Sequence, residues 1–191
     1  MFRVIYLWMV ISLLLFGNET KVKPLTHELI PLSKTVFKEV SLVTGKEKIV
    51  NLTHKNFIVV SVREEGSDGR FYAVDEDGTV WWSGAVTSGA PEYRSPSGVF
   101  PLLEKKRYHM SRDYPDASGI NNMDYMLRFT RFGHALHQGS VAWMSRGCIH
   151  IDKKDIPVIF KWATKETKIV ITRESYMPFA EEDLRKIYLA P

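Results

Sequence analysis

Apolar positions along most of the chain recur with a two-residue rhythm or in short β-branched runs, the pattern of strands rather than of long amphipathic helices. Residues 57–62 are apolar and β-branched, 70–74 alternate, and 79–86 resume with valine and tryptophan after the turn Asp75-Glu76-Asp77-Gly78. Two strands joined by a tight turn follow from that spacing. Glycine and proline punctuate 87–91 and 95–100 around a short strand expected over 98–103, and 104–121 reads as a polar surface or lid loop. Residues 125–137 read as a strand ending at His137, and 167–172 as the strand that closes the domain. A strand over 134–137 would turn His134 and His137 to opposite faces, because they are an odd number of residues apart. Two segments predict helices. In 152–163 Asp155 precedes Ile156 and Pro157, where a first turn tolerates proline, and 175–189 has an acidic start and a basic middle. The fold class is therefore mainly β, with one helix after the cysteine segment and one at the C-terminus.

The N-terminus is different. Met1-Phe2-Arg3 carries a positive charge into an apolar run over 4–16 broken only by Ser12. A spanning helix needs about 20 residues, so 1–17 is expected to be an export signal or an uncleaved anchor, with a buried first helix as the alternative. Residues 18–48, interrupted by Pro24 and Pro31, read as a spacer with a helical patch near 32–43. That leaves 49–173 as the domain and 174–191 as a C-terminal helix or tail.

Composition narrows the class further. With 45% hydrophobic and 25% charged residues in 191, the chain is ordinary globular material for one domain with extensions. A net charge of +4 favours anionic surroundings, but the basic residues are scattered without a dense run or stacked-aromatic motif. No nucleic-acid partner is expected, and contact with a membrane is expected only through the N-terminal run.

The chain has one cysteine, Cys148. An unpaired thiol in an exported protein is buried, bridged to another chain, or used for its chemistry. Its neighbours Ser145, Arg146, Gly147 and His150 favour use: Gly147 permits a backbone conformation that side chains forbid, and the Arg146 charge would favour a thiolate. A cysteine nucleophile needs a base and N–H donors for the oxyanion. His137 and His150 are the candidate bases, and the N–H groups of Cys148 and of Gly147 or Arg146 the candidate donors. His134, His137, Cys148 and His150 lack the spacing of a zinc set, so no metal and no other cofactor is expected.

These residues resemble the L,D-transpeptidase (YkuD-type) catalytic domain of peptidoglycan enzymes. The family pairs a histidine with a downstream Ser/Thr-x-Gly-Cys, here His137 and Ser145-Arg146-Gly147-Cys148. Segments 86–89 and 95–100 are similar to its Val-Ser-Thr-Gly and Thr-Pro-Thr-Gly-x-Phe stretches, and Met123-Asp124-Tyr125 to its Met-Pro-Tyr. Arg146 stands where the family most often has histidine and His150 where it commonly has arginine, and the 137–145 loop is short. The resemblance implies an antiparallel β-sandwich and an exported enzyme of the periplasm or cell envelope acting on peptidoglycan stem peptides. Cys148 would be the nucleophile, His137 the base and 145–147 the oxyanion support, with Tyr125, Met123, Gln138 and His150 at the substrate. It implies a Cys148 thioester with a stem tetrapeptide, expulsion of terminal D-alanine, and transfer to a neighbouring amine. The alternatives are an L,D-carboxypeptidase that releases the thioester to water and a non-catalytic wall-binding module.

Overall fold

The computed structural model describes residues 22–112, 114–115, 117–119 and 121–188. The apolar run over 4–16, with its expected export or anchoring role, lies outside the described residues. Among the described residues no helix is long and apolar enough to cross a membrane.

The described residues begin with three antiparallel strands, β1 (His27–Pro31), β2 (Val36–Ser41) and β3 (Glu47–Asn51), in a sheet of their own. The helical patch expected near 32–43 is therefore a strand. Val36, Phe37 and Val40 give β2 the β-branched and aromatic character that suits a pleated surface, and Phe37 is fully buried. The segment read as a spacer thus contributes to the core.

A nine-stranded sheet follows, built from β4 (Phe57–Ser61), β5 (Arg70–Val74), β6 (Val80–Thr87), β7 (Gly98–Pro101), β8 (Glu104–Lys106), β9 (Met126–Arg128), β10 (Ala135–Gln138), β11 (Ile149–Ile151) and β12 (Lys168–Thr172). Its order is β7-β12-β4-β5-β6-β11-β10-β9-β8. Helices α1 (Ile156–Trp162) and α2 (Met177–Tyr188) complete the fold, so the mainly β reading with one helix after the cysteine and one at the C-terminus holds. Pairing is antiparallel except at β4 with β12 and β10 with β11, which run parallel. Residues 125–137 are two antiparallel strands around a turn rather than one, and the 104–121 loop begins as β8 and is closed by a bridge between Met110 and Asn122. Gly133, at φ +94°, supplies the turn.

Period-two alternation sends each central strand into two cores. Ile58 and Val60 of β4, Phe71 and Ala73 of β5, and Ile169 and Ile171 of β12 join Leu136, Ile149 and Ile151 against Ile156 and Ile159 of α1. The intervening Phe57, Val59, Tyr72 and Val170 face Leu29, Phe37 and Leu52 of the first segment and Tyr176, Ala180 and Leu184 of the C-terminal one. This is why β4 reads as a continuous apolar run: both of its faces are covered.

Candidate active site

The segment before Cys148 is a tight turn fixed from three sides. Ser145 N–H donates to Ser88 O (3.0 Å), and Ala90 N–H donates to Ser145 O (2.9 Å), strapping the turn to the chain after β6. Ser145 Oγ donates to Cys148 O (2.5 Å) and accepts the Gly147 N–H (3.0 Å). Gly147 sits at φ +111°, and a Cβ there would meet the His134 ring at 2.9 Å, so both backbone and space require glycine. Ser95 Oγ donates to Gly147 O (2.9 Å) and accepts the Gly89 N–H (3.1 Å), while Arg173 Nη2 holds Ser95 O (2.8 Å).

The parallel pairing of β10 with β11 sets Leu136 opposite Ile149, His137 opposite His150, and Gln138 opposite Ile151. Leu136, Ile149 and Ile151 enter the core, so alternation puts His137, His150 and Cys148 on the other face. The His137 and His150 rings meet edge to face with centroids 4.9 Å apart. His137 Nδ1–H donates to Gln138 O (2.8 Å), which fixes the tautomer and leaves Nε2 as the basic nitrogen. His150 Nδ1–H donates to Ser140 O (3.1 Å) and so holds the short loop. Gly139 makes that possible, since a Cβ there would come within 2.6 Å of the His150 ring.

Burial dominates the electrostatics. It drives His137 down to about 3, assisted by the neighbouring His150 and opposed by the Gln138 carbonyl. It pushes the Cys148 thiol up, opposed by a hydrogen bond from the Ala135 backbone, and lowers His150 against the Ser140 and Trp143 carbonyls. The resting pair is thus a neutral thiol and a neutral imidazole, with the thiol directed to Gly133 O at 3.9 Å. Two expectations need correction here. The Arg146 guanidinium, expected beside the thiol, lies over the Tyr114 ring at 4.0 Å and 5.8 Å from the Tyr93 ring, because an exposed, weakly hydrated guanidinium prefers an aromatic face. The Gly147 N–H, already bonded to Ser145 Oγ, is not free to receive an oxyanion.

The other expected residues divide by location. Met123 N–H donates to His109 O (2.7 Å), and Gln138 acts through its backbone, its N–H on Asp124 O (2.9 Å). Tyr125, at φ +56°, gives its ring to Arg107 (3.5 Å) and Phe160 (5.5 Å). His134 stands just outside β10, bonded to Thr130 Oγ1 (2.9 Å) and stacked on Phe129. Sequence reasoning missed Tyr93 and Tyr114 as partners of Arg146 and Ser95 as the brace of Gly147; the 95–100 motif was visible, its task was not. It also missed His109, whose charge bears on His137. A cavity of about 340 Å³ beside Met144, lined by Arg63, Glu64, Glu65, Pro91 and Arg94, lies next to the turn but is not lined by Cys148. Among the described residues no group of three or more His, Cys, Asp or Glu side chains is arranged to hold a metal.

A family model described as the L,D-transpeptidase catalytic domain (YkuD) matches residues 55–171. Among solved structures, the chain is similar to an L,D-transpeptidase from Stackebrandtia nassauensis (16% identity, TM-score 0.53, 64% of this chain and 57% of that one). It is also similar to the C442S mutant of the Enterococcus faecium L,D-transpeptidase (17%, 0.51, 65% and 55%) and to an L,D-transpeptidase from Mycobacterium smegmatis (15%, 0.52, 77% and 77%). The match therefore spans little more than half the length of the first two, and at these identities the likeness is one of fold. No curated protein sequence matches the chain.

Proposed function

The chain belongs to the L,D-transpeptidase (YkuD) catalytic domain family, and from that premise we propose that it is an exported, cysteine-dependent peptidoglycan L,D-transpeptidase. The observation that carries the reading is the placement of Cys148 and His137 on one face of the β10–β11 pair, with the His137 tautomer fixed by Gln138 O. Nε2 of His137, left free because Nδ1–H is bonded to Gln138 O, is the acceptor we assign to the thiol proton, and to serve as base it has to gain basicity over its resting value of about 3 as substrate binds. As Sγ bonds to the carbonyl carbon of the third stem residue, its proton passes to Nε2 and the oxyanion is received by backbone N–H groups at the turn, with Cys148 N–H the first candidate. The imidazolium then returns the proton to the departing D-alanine amine, leaving the thioester. An amine of a second stem attacks that thioester, gives up its proton to Nε2 and expels the thiolate, forming the cross-link. No cofactor enters this sequence, because the donor peptide bond supplies the energy.

The raised thiol supports one other reading, a wall-binding module that holds stem peptides without turnover. Incubating the full chain and its Cys148→Ala variant with disaccharide tetrapeptides separates the two. A mass increase on the wild-type protein matching a tripeptide acyl group, absent from the variant, is the expected result. Tripeptide without cross-linked product would make the enzyme an L,D-carboxypeptidase, and unchanged tetrapeptide would favour the binding module.

A further inference from the structure

Arg146 is exposed in the turn two residues before Cys148. Its guanidinium lies over Tyr114 and near Tyr93, one ring from the excursion between β8 and β9 and the other from the short 3-10 turn Pro91–Tyr93. The Tyr93 carbonyl reaches within 3.2 Å of where a Gly147 Cβ would stand, so this turn packs directly on the nucleophile turn. Among the described residues no carboxylate is paired with Arg146, although nine ion pairs form elsewhere. The stacked tyrosine orients the face of the guanidinium and leaves its in-plane N–H fork for an acceptor. Arg112 lies in the same excursion, whereas Arg107 there is paired with Asp124 (3.8 Å) and Lys106 at the end of β8 with Glu104 (3.0 Å).

We propose that Arg146 is a specificity-determining residue whose guanidinium, oriented by Tyr114 and Tyr93, binds a carboxylate of the donor stem peptide beside Cys148. This rests on the stem-peptide reading above. Two carboxylates of the donor share that chemistry: the terminal one on the D-alanine that leaves, and one carried by the part that is retained. A planar fork matches either of them bidentately, which a lysine ammonium cannot do.

The test compares donor turnover by the full wild-type chain with R146Q and R146K on three tetrapeptides: one with all carboxylates free, one with a terminal carboxamide, and one amidated at an internal carboxyl group. The wild type is expected to show a KM raised about tenfold for one amidated donor, with little change in kcat, as removal of one partly exposed charge-assisted pair predicts. The donor affected identifies the carboxylate. R146Q should raise KM for the free acid by a similar factor and abolish the preference, and R146K should fall between. Retention of the acid-over-amide preference by R146Q would overturn the assignment, as would an equal loss of kcat on all three donors, the signature of a merely structural residue. Absence of product from every donor with the wild type would instead remove the stem-peptide reading, and this assignment with it.

Discussion

At Cys148 and His137 burial acts against an ion pair on both partners: the thiol is pushed up and the imidazole down. Alkylation of Cys148 by iodoacetamide should therefore be slower near about pH 7 than that of a free cysteine, and should climb as the solution becomes alkaline. A rate already at its plateau below about pH 7 would mean that a thiolate is preformed. The histidine has a second consequence. Its folded pKa of about 3 lies below the 6.5 of the unfolded chain, so the unfolded state takes up protons first as pH falls. That part of stability is complete above about 6.5 and is lost on descent toward 3, with His134, His150 and His109 shifted in the same direction. Melting temperature should fall across that window, and a flat profile would show that these rings are not buried neutral. Cys148 and its flanking glycine were legible in the sequence because a lone thiol in a polar, glycine-bearing segment is unusual. The destination of Arg146 was not, because Tyr93 and Tyr114 are 53 and 32 residues away from it in the chain and only the fold brings them to it.

Among the elements, the loop between β10 and β11 shows how shortness is accommodated. His150 holds Ser140 O, and Gly139 leaves the room for its ring. Gly139→Ala would force that ring to move, and with it the edge-to-face contact on His137. Loss of turnover with a smaller loss of melting temperature is the expected outcome, read by comparing both in the same preparation. Asp155 stands at the start of α1, directly before Ile156. Its side chain makes no cap bond; Oδ1 accepts Trp82 Nε1–H at 3.2 Å, and Oδ2 is buried without a partner. Burial raises this carboxyl, so the folded state holds its proton more tightly than the unfolded chain does. The resulting stability is full below the ordinary carboxylate range and is lost as pH rises through the folded value. Asp155→Asn keeps an acceptor for Trp82 and should raise the melting temperature at neutral pH while leaving it nearly unchanged in acid. A lowered value at neutral pH would show that the charged form is favoured. The strands from β4 to β6 and β12 were legible because their apolar and β-branched character is continuous; β8 was not, since Glu104, Lys105 and Lys106 carry no apolar pattern and meet β9 through the backbone and the Glu104–Arg128 ion pair (2.9 Å).

For the molecule as a whole, the sheet of β1–β3 covers one of the two cores. Phe37 packs against Phe57 of β4 (6.0 Å between centroids) and Tyr176 (6.2 Å). The sequence hid this because 18–48 is polar on average and Phe37 is followed directly by Lys38 and Glu39. Phe37→Ala should cost about 3–5 kcal/mol in chemical unfolding, the range for deleting a buried aromatic ring. A cost under about 1 kcal/mol, as for a surface position, would return the segment to the status of a spacer. The reaction itself is tested most directly by intact-protein mass spectrometry of the full chain mixed with disaccharide tetrapeptide. A tripeptide acyl adduct on Cys148, released as a cross-linked dimer when a second stem is added and absent from Cys148→Ala, is the predicted result. An unmodified Cys148 with tetrapeptide left intact would contradict it.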